Sequence, residues 1–84
     1  MTAKVTVRYF AAARAAAGID DEIVAVAPGT TIAALVGQLA ERDAQLAKVL
    51  RRCSFLCDGI AVRDSYATVR NAQTIDVLPP FAGG

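Results

Sequence analysis

One stretch limits the fold more than any other. Ile32, Leu35, Val36 and Leu39 fall at i, i+3, i+4 and i+7, an apolar stripe along one side of a helix. Gln38, Glu41 and Arg42 lie largely away from that stripe. Ala27-Pro28-Gly29 breaks the chain before it, and Thr30 or Thr31 supplies an N-cap. The main helix is therefore expected to run to about Arg42. Leu46, Val49 and Leu50 repeat the spacing in a further short helix, which either continues the first or follows a break near Asp43.

On either side of this region the chain alternates. In Lys4–Phe10, Val5, Val7 and Tyr9 share one face, while Thr6, Arg8 and Phe10 share the other. Asp20–Val26 runs from acids into β-branched residues and reads as a strand from about Glu22. Between them, Ala11–Ala17 is alanine-rich and ends at Gly18, which predicts a short helix with a glycine C-cap. Ser54–Cys57, the pair Asp58-Gly59 and Ile60–Val62 read as a tight hairpin. Arg63–Gln73 is mixed and mostly loop. Thr74–Leu78 alternates again, with Ile75 and Val77 opposite Thr74, Asp76 and Leu78. Strand, strand, helix, strand, strand, strand gives an α+β domain with one main helix against a mixed sheet.

The chain has 84 residues, 55% of them hydrophobic and 20% charged, enough for one small core. With no histidine, Ser/His/Asp and Cys/His catalytic sets are excluded. No glycine-rich phosphate loop occurs. The adjacent acids Asp20, Asp21 and Glu22 splay apart in a strand and read as a solvated turn. The net charge is +1, and the densest basic group, Lys48, Arg51 and Arg52, has no aromatic stacking platform beside it. A solvated helix face is the simpler reading, so no nucleic acid is expected. No stretch approaches the ~20 apolar residues of a membrane span. Charge at Lys4 and Arg8 argues against a signal peptide, and a cytoplasmic protein is expected. Cys53 and Cys57 are then reduced thiols. On one strand they stand roughly 13 Å apart, too far to bridge, and two ligands do not make a metal site. Burial as small apolar side chains is favoured over a nucleophile activated by Arg51 or Arg52.

The last seven residues are Leu78-Pro79-Pro80-Phe81-Ala82-Gly83-Gly84. The prolines cannot extend a ladder, and the glycines lack Cβ atoms. Residues 79–84 read as an arm of roughly 20 Å when extended, or as a frayed terminus. Without another reactive constellation, the Gly84 carboxylate is the one chemical group in a distinctive setting. The strand alternation sends Leu78 and Phe10 out of the face opposite the helix, at the base of this arm. Exposed there, they form an apolar docking surface. For Phe10 the alternative is that Ala11–Ala17 folds back and covers it.

Over nearly its whole length the sequence resembles the small, sulfur-carrying subunit of molybdopterin synthase, in the ubiquitin-like β-grasp superfamily. The resemblance rests on Val7-x-x-Phe10-Ala11 with Arg14 and Gly18, Pro28-Gly29-Thr30-Thr31 before the Leu35/Leu39 helix, the Asp58-Gly59 hairpin and, above all, the segment 78–84. It implies a β-grasp domain over residues 1–78, with about five strands, one main helix and short extra helices, and a flexible tail over 79–84. It also implies a mechanism. A ubiquitin-activating-like enzyme uses ATP and magnesium to adenylate Gly84, and a sulfur donor converts it to a thiocarboxylate. The tail then enters the large synthase subunit, in an expected heterotetramer, and gives sulfur to a cyclic pyranopterin. No stably bound cofactor is implied. Gly83 is expected to fit the partner channels, and Phe10, Val62, Leu78, Pro79, Pro80, Phe81 and Ala82 to contact partners. Asn71-Ala72-Gln73 stands where the family often has Asp-Gly-Asp, which leaves the turn type open. Phe81 is bulkier than the usual aliphatic residue. The alternatives are a carrier for thiamine or cysteine biosynthesis, a ubiquitin-like protein modifier, and a β-grasp interaction module with an inert tail.

Overall fold

The computed structural model describes residues 2–80. Its elements are β1 Ala3–Tyr9, α1 Ala11–Ala17, β2 Asp21–Val26, α2 Ile32–Arg42, α3 Ala44–Leu50, β3 Ser54–Cys57, β4 Ile60–Ala61 and β5 Thr74–Leu78. The five strands form one sheet in the order β2-β1-β5-β3-β4. Only the central pair, β1 and β5, runs parallel; the other neighbours are antiparallel. This is the expected mixed sheet, the ubiquitin-like β-grasp arrangement.

The alternation decides which side of the sheet is buried. Val5, Val7, Tyr9, Ile75 and Val77 are all within the core, together with Ile32, Leu35 and Leu39 of α2. Thr31 is the residue that caps α2, its Oγ1 accepting from the Ala34 N–H at 3.0 Å. Asp43 settles the open question of one helix or two. Its backbone leaves the helical region at φ −159°, and its Oδ1 accepts from the Gln45 N–H at 2.9 Å, starting α3 afresh. Leu46 and Leu50 then reach the same core.

The turns follow their residue types. Gly18 ends α1 in the left-handed region, its N–H donating to Arg14 O. Asp58 and Gly59 both have positive φ, 50° and 82°, the requirement of a type I′ hairpin turn. β2 begins at Asp21, one residue before the expected start, and Cys53 lies just before β3 rather than on one strand with Cys57. The loop expected at Arg63–Gln73 is irregular but tied down. Ser65 and Ala67 accept from the Ala33 and Ile32 N–H groups, satisfying donors at the start of α2, and Val69 is buried.

Candidate functional site

β5 runs through the middle of the sheet, and its end is where residues 79–84 depart. Registered residues of adjacent strands share a face, so the ladders show which side chains stand together. Arg8 pairs with Asp76, and Asp76 with Leu56. Leu78 pairs with Ser54. All of these lie on the side of the sheet away from α2. Phe10 follows β1, and its N–H donates to Val77 O at 3.2 Å, which holds it beside the end of β5. Its side chain is 38% exposed, so α1 does not cover it. α1 buries Ala13 instead.

The sequence reading missed the polar centre of this face. Asp76 was expected on the open side, yet it is only 6% exposed. Arg8 covers it with a bidentate pair, Nε to Oδ1 at 2.6 Å and Nη2 to Oδ2 at 2.9 Å. The same guanidinium stands 5.6 Å from the centroid of the Phe10 ring, within cation–π range. Asp76, through its hydrogen bond and charge, raises the pKa of Arg8 further above its ordinary value. Opposite charge at matching strand positions was a usable signal, but it becomes a contact only once β1 and β5 are known to be neighbours.

The other site residues fall in different places. Leu78 and Pro79 are half-buried and Pro80 is exposed. Val62 continues the β3–β4 register opposite Phe55, its N–H donating to Phe55 O at 2.9 Å, and both residues pack against the core. Val62 is therefore on the helix side, away from Phe10 and Leu78. Phe81, Ala82, Gly83 and Gly84 lie outside the described residues.

Both thiols are free and half-buried, in keeping with their expected role as small apolar side chains. Burial raises both pKa values, and the Asp58 charge adds to the effect on Cys57. The Cys53 thiol donates to Val49 O at 3.1 Å. Neither environment favours a thiolate, which removes the basis of the nucleophile alternative. Among the described residues no group of His, Cys, Asp and Glu side chains could hold a metal ion, and no helix is long and apolar enough to cross a membrane.

A comparison with curated proteins returned no match. Solved structures share the fold over nearly the full chain. A putative molybdopterin converting factor, subunit 1, from Pyrococcus furiosus matches with a TM-score of 0.85 and 22% identity, over 94% of this chain and 99% of that one. Small archaeal modifier protein 1 from Methanosarcina acetivorans matches with a TM-score of 0.82 and 22% identity, over 100% and 99%. The complex of subunits 1 and 2 of molybdopterin-converting factor from Helicobacter pylori contains a chain that matches with a TM-score of 0.70 and 17% identity, over 96% and 99%. These likenesses describe a backbone shared by molybdopterin-converting-factor subunits and a small archaeal modifier protein. The ThiS family model matches residues 7–84, and the chain belongs to the ThiS family.

Proposed function

We propose that this chain is the sulfur-carrier subunit of a molybdopterin synthase and that the Gly84 carboxylate is its working group. The observation that carries the reading is the geometry where β5 ends. Pro79-Pro80 cannot continue the ladder, and they stand beside an open sheet face bearing Phe10, Leu56 and Leu78. An apolar face at the root of a thin arm suits a partner that binds the domain while taking the arm into its active site. The family's sulfur-carrier chemistry and the Helicobacter complex of two converting-factor subunits support a large-subunit partner.

The chemistry asks little of this chain's own side chains. A carboxylate is a poor electrophile. Its oxygen attacks the α-phosphorus of ATP, bound with magnesium on an activating partner, and pyrophosphate leaves. Hydrosulfide supplied by a donor then attacks the acyl carbon, AMP leaves with the carboxylate oxygen, and loss of the thiol proton gives the thiocarboxylate. The thiocarboxylate carries that sulfur into the large subunit. Phe10, Leu78 and Pro79 make the docking contact, and Val62, packed against the core on the helix side, is not part of it. Phe81 and Ala82 line the entry, and Gly83 passes the narrowest part. The expected assembly is a cytoplasmic heterotetramer of two carriers and two large subunits.

The likeness to small archaeal modifier protein 1 favours a second reading, conjugation of Gly84 to lysine amines on other proteins. One experiment separates the two. The chain is incubated with ATP, magnesium, a sulfur donor and its cognate activating enzyme, then weighed intact. The proposal requires a mass gain equal to sulfur replacing one oxygen, lost on deletion of Gly84. It also requires that the product restore dithiolene formation to a large synthase subunit. Lysine conjugates without dithiolene formation would establish the modifier instead.

A further inference from the structure

β2 is an outer strand of the sheet, and one of its edges is unpaired. The other outer strand, β4, has two residues; β2 has six, all registered with β1 without a bulge. The Tyr9 N–H donates to Asp20 O at 2.8 Å. In an antiparallel pair the backbone groups of alternate residues point the same way. Those of Glu22, Val24 and Val26 therefore turn towards β1, as Asp20 does, and those of Asp21, Ile23 and Ala25 turn outward. All three outward residues are exposed, and no backbone group elsewhere among the described residues bonds to their outer side.

Edge strands of folded domains are ordinarily blunted by lysine, proline, a bulge or short length. β2 has none of these. It reads Asp21-Glu22-Ile23-Val24-Ala25-Val26, and Ile23 is 70% exposed, on the face away from α2 and beside Thr6. Glu22 lies on the helix side, held by Tyr9 and Arg42. Asp21, at the start of the strand, is thus the one charge at an outward position. An open strand of this kind is complemented by another strand, and its own sequence supplies one. In an antiparallel pairing centred on Ile23, Ile23 faces Ile23 of a second copy, and Asp21 faces its Ala25. This register engages all three outward residues of each copy and sets no two like charges opposite one another. Centring on Asp21 would oppose two carboxylates, and centring on Ala25 would carry Asp21 beyond the second strand. Lys4 adds charge complementarity. It is registered with Ala25 in the β1–β2 ladder, so Asp21 of the second copy comes two strands away, roughly 10 Å. Lys4 is exposed, and the small Ala25 side chain leaves room for it to reach across to that carboxylate.

We infer that β2 pairs with β2 of a second copy of this chain, antiparallel about Ile23, joining the two five-stranded sheets into one. The copies exchange the N–H and C=O groups of Asp21, Ile23 and Ala25. A two-fold axis normal to the sheet keeps both α2 helices on one side and both Ile23 side chains on the other. The contact goes beyond the sulfur-carrier reading and does not depend on it. It uses none of Phe10, Leu78 and Pro79, and β1 separates it from β5, where each arm departs. Three residue pairs with one isoleucine from each copy make a smaller contact than a stable dimer has, so the expected Kd is on the order of 100 µM.

The test is sedimentation equilibrium of the full chain, from about tenfold below to about tenfold above that Kd. The apparent mass should rise from that of one chain towards that of two. Over the same range the Ile23 and Ala25 amides should come to exchange with deuterium more slowly. Ile23→Lys should weaken association at least about tenfold. Lys4→Glu should weaken it about threefold, and more at low salt than at high. Both side chains are exposed, so circular dichroism melts should show both variants folded. Ile60→Lys is the control, because Ile60 is 73% exposed on the short β4 edge; it should associate as the wild type does. Ile23→Cys should give a disulfide-linked dimer on mild oxidation, since the α-carbons of the central pair stand about 5.5 Å apart. A wild-type chain that stays monomeric throughout overturns the inference. So does association that Ile23→Lys leaves intact, or an equal loss from Ile60→Lys. Monomers whose Ile23 and Ala25 amides are protected only by added large synthase subunit assign the edge to that partner and also overturn it. Should Ile23→Lys fail to fold, an Ile23→Cys chain that does not cross-link overturns it instead.

Discussion

The two faces of the sheet use the same strands for opposite ends. On the helix side, Val5, Val7, Tyr9, Ile75 and Val77 are sealed beneath α2. On the open side, the intervening residues Thr6, Arg8, Thr74, Asp76 and Leu78 carry charge and hydroxyl groups, with apolar side chains gathered towards the end of β5. One face is apolar save for the Tyr9 hydroxyl and the Glu22 carboxylate, which are satisfied by each other and by Arg42, and it needs no partner beyond the chain itself. The other is polar at its centre, where Arg8 and Asp76 satisfy each other, and apolar beside the arm. A face that served only as surface would not need Phe10 and Leu78 there. The arrangement keeps the sheet soluble on that side while leaving one adhesive corner.

Adjacent residues on β5 give the sharpest way to break this contrast. Val77 is fully buried, and Leu78, its neighbour, is half-buried on the other face. Val77→Asp buries an unpaired carboxylate in the core. A cost above about 4 kcal/mol is expected, enough to unfold a domain whose total stability is of the order of 5–15 kcal/mol. Far-ultraviolet circular dichroism and a urea melt will show it. Leu78→Asp should instead leave the melt close to wild type and weaken large-subunit binding about ten- to a hundredfold, measured by calorimetry. If Leu78→Asp unfolds the domain as Val77→Asp does, the two faces are not functionally distinct.

A smaller effect probes how the helix side tolerates its one hydroxyl. The Tyr9 ring is buried in the core, and its O–H donates to Glu22 Oε2 at 2.7 Å, while Arg42 holds Oε1 of the same carboxylate at 2.7 Å. Burial first, and then the Glu22 hydrogen bond and charge, raise the pKa of Tyr9 well above its ordinary value of 10.0. The folded state keeps this proton where the unfolded state loses it. The stabilisation is therefore complete below pH ~10 and is lost as pH rises above it, at up to about 1.4 kcal/mol per pH unit. Tyr9→Phe should cost about 1 kcal/mol at neutral pH. It should also remove that part of the alkaline decline, as urea melts between pH 8 and ~11.5 will test. An unchanged alkaline slope in the variant would place the titrating group elsewhere.

The helix side was the more legible of the two because its signal is local. Period-two alternation in β1 and β5 and the Ile32/Leu35/Leu39 stripe name their buried residues without reference to any neighbour. Asp58-Gly59 likewise specifies its own turn. The open face is a product of strand order. Arg8 meets Asp76 across 68 positions because β1 and β5 pair in parallel, and no window of sequence contains both. The capping of α2 by Ser65 and Ala67 was hidden for the same reason. Val62 belongs to the helix side through its register with Phe55, which depends on a hairpin and a ladder together. Parity along one strand does not reveal which side of the sheet that strand presents to its neighbours.

The turn before β5 shows how far local departures from pattern can be absorbed. Asn71-Ala72-Gln73 left its type open, and Ala72 adopts φ 69°, the left-handed conformation that glycine takes readily. Two contacts to β1 impose it. Ala72 N–H donates to Lys4 O at 2.7 Å, and Asn71 Oδ1 accepts from the Lys4 N–H at 2.9 Å. The Cβ in this conformation costs roughly 1–2 kcal/mol. Ala72→Gly relieves that strain but gives back roughly 0.5–1 kcal/mol through the greater freedom of the unfolded chain. The expected net result is a stabilisation of about 0.5–1 kcal/mol. It should appear as a urea midpoint shifted upward at constant slope, with no change in partner binding or in the activation of Gly84. A downward shift would mean that the Lys4 contacts hold Ala72 without strain, and that the turn, like the open face, owes its shape to β1 rather than to its own residues.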